Sequence, residues 1–362
     1  MHWYKVSTYV PSVSMTQPAT EQHPDGSRHH FDYYYRPGIA LRTAPPGVQP
    51  SDLWDRVRQM QFSAWMPVRE TPEQSPIVQF AADHFWQGDE QMDALVATWP
   101  TIGKAAGRAQ FEQALIQGIE SVAEPSPELV ALFEHIDSPP DWFNPAVWER
   151  GRQVSTNASL AGLLGMVVQD ALMTLVSQHV SASTGETARF TNDLRDRVLE
   201  TGIWFRDVTM PNGWQRTSPV FAQVIRLRLM HAQARAGCRR SWGPETYAQY
   251  GDPIPASVVA GAAISFGMTA ALIDHAHGRT ATETDLRAIL MYWGHLAHLL
   301  GVPTELIPLS LPEALELVDY IYATGGGPTA GTRALTESIG APTPGAGRCP
   351  RPARPPVPEY TE

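Results

Sequence analysis

From Ala256 to Ile273 the chain runs without a single charged side chain, and much of the stretch is Ala and Gly. A helix of roughly 20 apolar residues is long enough to cross a bilayer. The segment therefore has two stable fates, a membrane span or the buried centre of a helical protein. Its small residues permit close approach of neighbouring helices, and its flanks lack basic anchors, so it reads as a buried helix with no membrane span. Other elements must then cover it on all sides. No period-two alternation of useful length appears anywhere in the chain, so those elements are helices and the fold class is all-α.

The covering elements can be placed along the chain. Residues 1–50 are rich in Pro, His, Gly and Tyr with no sustained period, an irregular N-terminal arm. Ser51 caps a helix reaching Met66, with Leu53, Val57, Met60 and Trp65 on its inner face. Helical patterns resume over 77–98 and 105–123, and Ser126-Pro127-Glu128 starts another that Ser138-Pro139-Pro140 stops. Ser155 to Val180 reads as the longest apolar helix, interrupted by Gln169 and Asp170. A helix over 187–204, a turn at Met210 to Trp214, a central helix through 224–238, one starting at Thr282 and one over 311–323 complete the set. The expected division is the arm, a single helical domain over 51–325, and a flexible C-terminal tail over 326–362, disordered from Gly340 onward.

Charge narrows the partners. The net charge is -10 and the pI near 5.6, and no basic block appears, which argues against nucleic acid. Lysine occurs only at Lys5 and Lys104. Two cysteines, Cys238 and Cys349, provide no disulfide framework and no Cys-based zinc site. Neither a twin arginine nor a continuous apolar segment opens the chain, so the expected location is cytoplasmic, with secretion open if a precursor signal was removed or mis-started. Nothing in the sequence sets the oligomeric state.

Chemistry concentrates in the central helix. Val224, Leu227, Ala234 and Cys238 share one sector of a helical wheel with His231 in its middle, so the imidazole is expected to face inward. Arg228 and Arg235 flank it three residues before and four after. The residues alone leave alternatives open: a lone His on an apolar face is more often a core imidazole satisfied by its neighbours than a metal ligand.

The run Arg228-Leu229-Met230-His231-Ala232-x-x-Arg235, followed by Trp242, Tyr250-Gly251-Asp252-Pro253-Ile254 and an apolar segment reaching Phe266, resembles the haem-binding core of the latex clearing protein (rubber oxygenase) group of MpaB-like oxygenases. Asp141-Trp142-Phe143 leading to Gly151, the stretch Met291 to Val302 and Pro308-x-Ser310 extend the resemblance over 137–315. It implies a globin-like helical core with additional helices, and His231 as axial ligand of a b-type haem iron. Arg197 and Thr201, which share a helix face, correspond to the family's distal arginine and threonine. Some family members carry a lysine immediately before that threonine; here Glu200 stands there, so lysine capping of the iron is excluded at that position. Glu200 is either a distal acid or base, or a solvated carboxylate. The family's mechanism also uses a distal carboxylate as base, a role for which Asp170 is a candidate because burial in an apolar helix would raise its pKa; equally it is the salt-bridge partner of an arginine. Arg228 and Arg235 are candidates to pair with haem propionates, and equally to meet Asp or Glu of a neighbouring helix.

Other motifs are weak. His295 and His298 lack a zincin glutamate and read as packing, Gly325 to Gly331 follows no strand, and no G-x-S-x-G elbow exists. The implied function is haem b-dependent cleavage of a C=C bond in a hydrophobic isoprenoid, with dioxygen as co-substrate and carbonyl products. The alternatives are an oxygenase acting on a small terpenoid or other lipophilic metabolite, and a helical protein that carries haem or a lipophile without turnover.

Overall fold

Every regular element among the described residues is helical. The computed structural model describes residues 31–327 apart from 181–193 and Gln49, Glu73, Asn212 and Thr280, together with Thr332 and Arg333. The side chains of Asp170, Leu172 and residues 174–176 and 194–200 lie outside the description. In chain order the helices are α1 (Asp52–Phe62), α2 (Pro76–Asp83), α3 (Glu90–Ile102), α4 (Lys104–Gln117), α5 (Pro127–Asp137), α6 (Pro145–Thr156), α7 (Leu160–Val176), α8 (Leu194–Thr209), α9 (Pro219–Ser241), α10 (Pro244–Tyr250), α11 (Ala256–Ala276), α12 (Glu283–Leu299) and α13 (Leu311–Ala323).

Local chemistry sets most of the starts. Ser51, Ser126 and Ser218 each accept a backbone N–H of the first turn of α1, α5 and α9, and Thr282 and Ser310 form reciprocal capping boxes with Asp285 and Glu313 on α12 and α13. Proline at the first turn opens α2, α5, α6, α9, α10 and α13, where its missing N–H costs nothing.

The uncharged stretch is α11, and it is the axis of the fold. It packs against α6, α7, α12 and α13, and 72% of its most apolar window is buried inside the protein. By length and composition it could cross a bilayer; here it is a core helix. Its glycines explain how the neighbours come so close. At Gly267 a Cβ would lie 2.1 Å from Cδ1 of Trp293, so the bare backbone lets the indole of α12 lie on the helix. Gly151 does the same between α6 and α12, where a Cβ would lie 2.0 Å from the carbonyl oxygen of Ala288.

Three sequence expectations shift. The pattern over 77–98 is two helices, α2 and α3, because the turn at Gly88 and Asp89 is spent on other contacts: a Cβ on Gly88 would lie 2.2 Å from Nε of Arg235, and Asp89 caps α3 through Met92 N–H. The apolar block expected from Ser155 begins only after Ser159, since α6 runs to Thr156. Ser159 caps α7 at Gly162 and hydrogen-bonds Asp274, tying this helix start to the end of α11. The helix expected over 187–204 is seen as α8 and ends at Thr209.

The described part of the arm, from Phe31, is irregular and docked. Tyr33 donates to Asp83 at 2.6 Å, Tyr34 donates to Asp93 at 3.1 Å, and Phe31 meets Tyr247 edge-on at 4.9 Å.

Candidate functional site

Helices α6, α7 and α8 stand around a cleft whose floor is α11 and α12. It has a volume of about 520 Å³, inside the range of sites that bury small organic ligands. Leu163, Met166 and Val167 form the α7 wall, Phe205 of α8 and Met210 just after it the opposite wall, and Phe266 and Trp293 the floor. The lining is mainly apolar, and the charged side chains at its edge are paired with one another: Arg150 with Asp285, and Arg279 with Asp274 at 3.5 Å. Such a space takes a lipophilic, uncharged molecule.

His231 of α9 is outside the cleft lining. It borders a small void of about 10 Å³ together with Val259 of α11, Arg235 and Gly301. That space is at the threshold for one water molecule. Val259, Ala262 and Phe266 form a half-buried stripe on α11, and Phe266 is in the cleft. Seven residues separate Val259 from Phe266, about 10 Å at 1.5 Å per residue.

The imidazole is less inward than the wheel implied. The buried side of α9 is Phe221, Ala222, Val224, Ile225, Arg228, Leu229, Ala232, Arg235 and Cys238, whereas Leu227, His231 and Ala234 are half-buried on its shoulder. The centre of the buried side belongs to the two arginines. Arg228 donates to Asp89 through Nε at 2.6 Å and Nη2 at 2.8 Å. Arg235 donates to Asp93 through Nε at 2.9 Å and Nη2 at 2.7 Å, and through Nη1 to the carbonyl of Ile254 at 3.0 Å. Burial works against the charge on Arg235, but Asp93 and Asp252 outweigh it and hold its pKa above the usual arginine range. In this structure the partners of the two guanidiniums are Asp89 and Asp93, at the cap and in the first turn of α3, the carboxylate alternative the sequence left open.

Sequence reasoning missed Asp89, Asp93 and Gly301. The two aspartates are four apart and so share a face of α3, while the two arginines are seven apart on α9, a matched spacing that was available as a signal. Gly301 has φ +85°, and a Cβ there would lie 2.2 Å from Oδ2 of Asp89 and 2.8 Å from Nε of Arg228. Only glycine both adopts that conformation readily and leaves room for the ion pair.

Among the expected distal residues, Thr201 is half-buried on α8, next to Gly202 and one turn from Phe205, both in the cleft lining. Arg197 and Glu200 fall on α8 and Asp170 on α7, but their side chains lie outside the described residues. Gln169 faces α11, where Thr269 donates to its Oε1 and takes a hydrogen bond from Gln61 at 2.8 Å. It fastens helices together and does not face the cleft.

His295 and His298 pack in an aromatic cluster. His298 lies against His135 with ring centroids 4.2 Å apart, and His295 sits between Phe143 at 4.6 Å and Trp214 at 5.6 Å. Burial pushes all three imidazoles down, His135 and His295 to about 3 and His298 to about 4, helped by Arg228 for His135 and His298. They are neutral in the fold. An unfolded histidine titrates near 6.5, so below that pH the unfolded chain binds more protons, and stability falls as pH drops from about 6.5 toward 4. The expected loss is at most about 1.4 kcal/mol per pH unit for each ring. Urea denaturation at pH 7.5 and 5.5 checks this; equal stabilities at the two pH values would contradict buried neutral rings, and His295→Phe should remove part of the dependence. Among the described residues no group of three His, Cys, Asp or Glu could hold a metal ion.

Residues 148–361, more than half of the chain, match a family model described as ER-bound oxygenase mpaB/B'/Rubber oxygenase, catalytic domain. A solved structure titled "Structure of Latex Clearing Protein LCP in the closed state" is similar with a TM-score of 0.61, over 75% of this chain and 74% of that chain, at 21% sequence identity. A likeness at that identity shows a common fold. No curated protein matches the sequence.

Proposed function

We propose, since this chain belongs to the mpaB/B' and rubber oxygenase catalytic-domain family, that it is an oxygenase holding haem b through His231 and cleaving a C=C bond of a hydrophobic isoprenoid. The single observation that carries the finer reading is the apolar cleft of about 520 Å³, which shares one stripe of α11 with the neighbourhood of His231.

His231 would hold a haem through a ring nitrogen, since an iron porphyrin needs only one protein ligand to be retained. The surroundings also suit a flat apolar group, since Leu227, Ala234, Val259 and Ala262 are half-buried and uncharged. The void of about 10 Å³ beside the ring is too small for a porphyrin, so haem at His231 would need more space there than this structure shows. When bound, haem supplies the iron that activates dioxygen.

The chain's own residues supply the rest. Met166, Val167, Phe205 and Phe266 exclude water and hold the alkene by apolar contact. Thr201 is assigned the role of a hydroxyl that orients a polar oxygen near the cleft, and Arg197 of a cation on the same helix face. Glu200 and Asp170 are the two carboxylates assigned as candidates to take the allylic proton. Arg228 and Arg235 are given no role toward the cofactor.

An absorption spectrum with a pyridine haemochrome assay tests the cofactor, and oxygen uptake tests turnover. One haem per chain with uptake on a short prenyl compound supports a small-terpenoid oxygenase, and uptake on a polyisoprene emulsion supports the polymer. Haem without uptake on either alkene would replace the enzyme by a carrier, and a colourless, iron-free protein that reconstitution with haemin leaves colourless would overturn the assignment of His231.

A further inference from the structure

Helix α7 is amphipathic in reverse. Its exposed side carries Leu160, Leu163, Leu164, Val167 and Val168, with Leu160, Val168 and Leu164 exposed by 72%, 59% and 56%. Their i, i+3, i+4, i+7, i+8 spacing forms one stripe, the pattern that a helix usually turns toward a core. Gly162, Met166 and Gln169 are buried instead. Leu163 and Val167 also form a wall of the cleft, Met210, just past α8, lines it and is exposed, and Ile203 of α8 is exposed as well. Single exposed apolar residues need no explanation, but five in one stripe of a helix that also walls the cleft mark a contact surface.

We propose that this face seats the protein on the surface of an uncharged hydrocarbon phase, from which an apolar chain slides into the cleft past Leu163 and Val167 without crossing water. The inference rests on the reading that the cleft takes a lipophilic substrate, and it assigns the surface from which that substrate arrives.

Charge decides against a protein partner held by electrostatics. Leu160–Gln169 contains no ionisable residue, and the charges around the opening are satisfied within the chain, Arg150 by Asp285, Arg206 by Asp207 and Arg279 by Asp274. Among the described residues there, little is left for a partner of either sign to complement. A phospholipid headgroup layer fits less well than bare hydrocarbon, because helices that lie in that layer carry Lys and Arg on one face and aromatic anchors at its edge. Leu160–Val176 has no Lys, Arg, Trp or Tyr.

Flotation of the full chain with droplets of squalane, a saturated hydrocarbon, tests the surface without requiring catalysis. The protein should rise with the droplets at low salt and at molar salt alike, and should bind phosphatidylcholine vesicles more weakly. The double variant Leu164→Glu, Val168→Glu alters exposed positions outside the cleft lining. It should lose about tenfold or more in partitioning, since two apolar burials are replaced by charges, with an unchanged circular dichroism spectrum and melting temperature. The proposal is overturned if the parent stays in the aqueous layer, if vesicles hold it as well as droplets do, or if sedimentation shows a dimer that the double variant abolishes. Because squalane offers no double bond and the assay reads neither haem nor oxygen, a protein that floats yet consumes no oxygen would sink the oxygenase reading and leave this surface standing.

Discussion

His231→Ala is expected to purify without a Soret band and with no pyridine haemochrome, while keeping the helical circular dichroism of the parent. The ring is half-buried on the shoulder of α9 and not at the centre of its packed side, so truncation should cost the fold only about 1–2 kcal/mol. The effect on the cofactor is far larger, because among the described residues His231 has no neighbouring ligands of the kind that make a metal group. Free imidazole added to the variant should restore part of the haem binding, as the truncated position leaves room for it. A variant that retains the parent's haem content and Soret maximum would show that some other residue holds the iron.

The fold was legible where composition leaves few choices. An uncharged run rich in Ala and Gly has to be covered, and α11 is covered on its α6, α7, α12 and α13 sides. The helix starts were equally readable, since Ser51, Ser126, Thr282 and Ser310 announce themselves by side-chain chemistry that acts within three residues. The split between α2 and α3 was not readable. Helical propensity continues through His84 to Asp89, and the turn there is fixed by Arg235 lying over Gly88 and Arg228 reaching Asp89, contacts that arrive from far along the chain.

The same distance effect misdirected the reading of the central helix. A wheel sorts residues by polarity, but α9 buries Arg228 and Arg235, each 1% exposed, among its apolar side chains while Leu227 and Ala234 are half-buried. An arginine is buried when a carboxylate meets it, and nothing within α9 indicates that Asp89 and Asp93 will. The apolar sector therefore marked a flank of the packed side, one that faces α11 and the neighbourhood of the cleft. The arm posed a related problem, because Tyr33 and Tyr34 look unstructured until Asp83 and Asp93 are in place to receive their hydroxyls.

Asp93→Ala is expected to be the most damaging single change to stability. Asp93 accepts from Arg235, Arg239 at 3.0 Å and Tyr34 at 3.1 Å, and its removal leaves the Arg235 guanidinium buried with only a distant carboxylate, Asp252 at 3.9 Å. Breaking a buried pair by deleting one partner costs roughly 3–5 kcal/mol. Urea denaturation should report that loss as a lower midpoint with an unchanged slope. Replacing both partners, Asp93→Leu with Arg235→Met, should recover most of it, because desolvating the pair offsets much of its attraction. The double variant also separates the two roles once open for Arg235. If the arginine serves only α3, haem-free and haem-loaded protein respond alike. Should the double variant instead weaken haem retention with the haem-free fold intact, Arg235 would reach the cofactor after all, and the ion pair would be an arrangement of the empty protein.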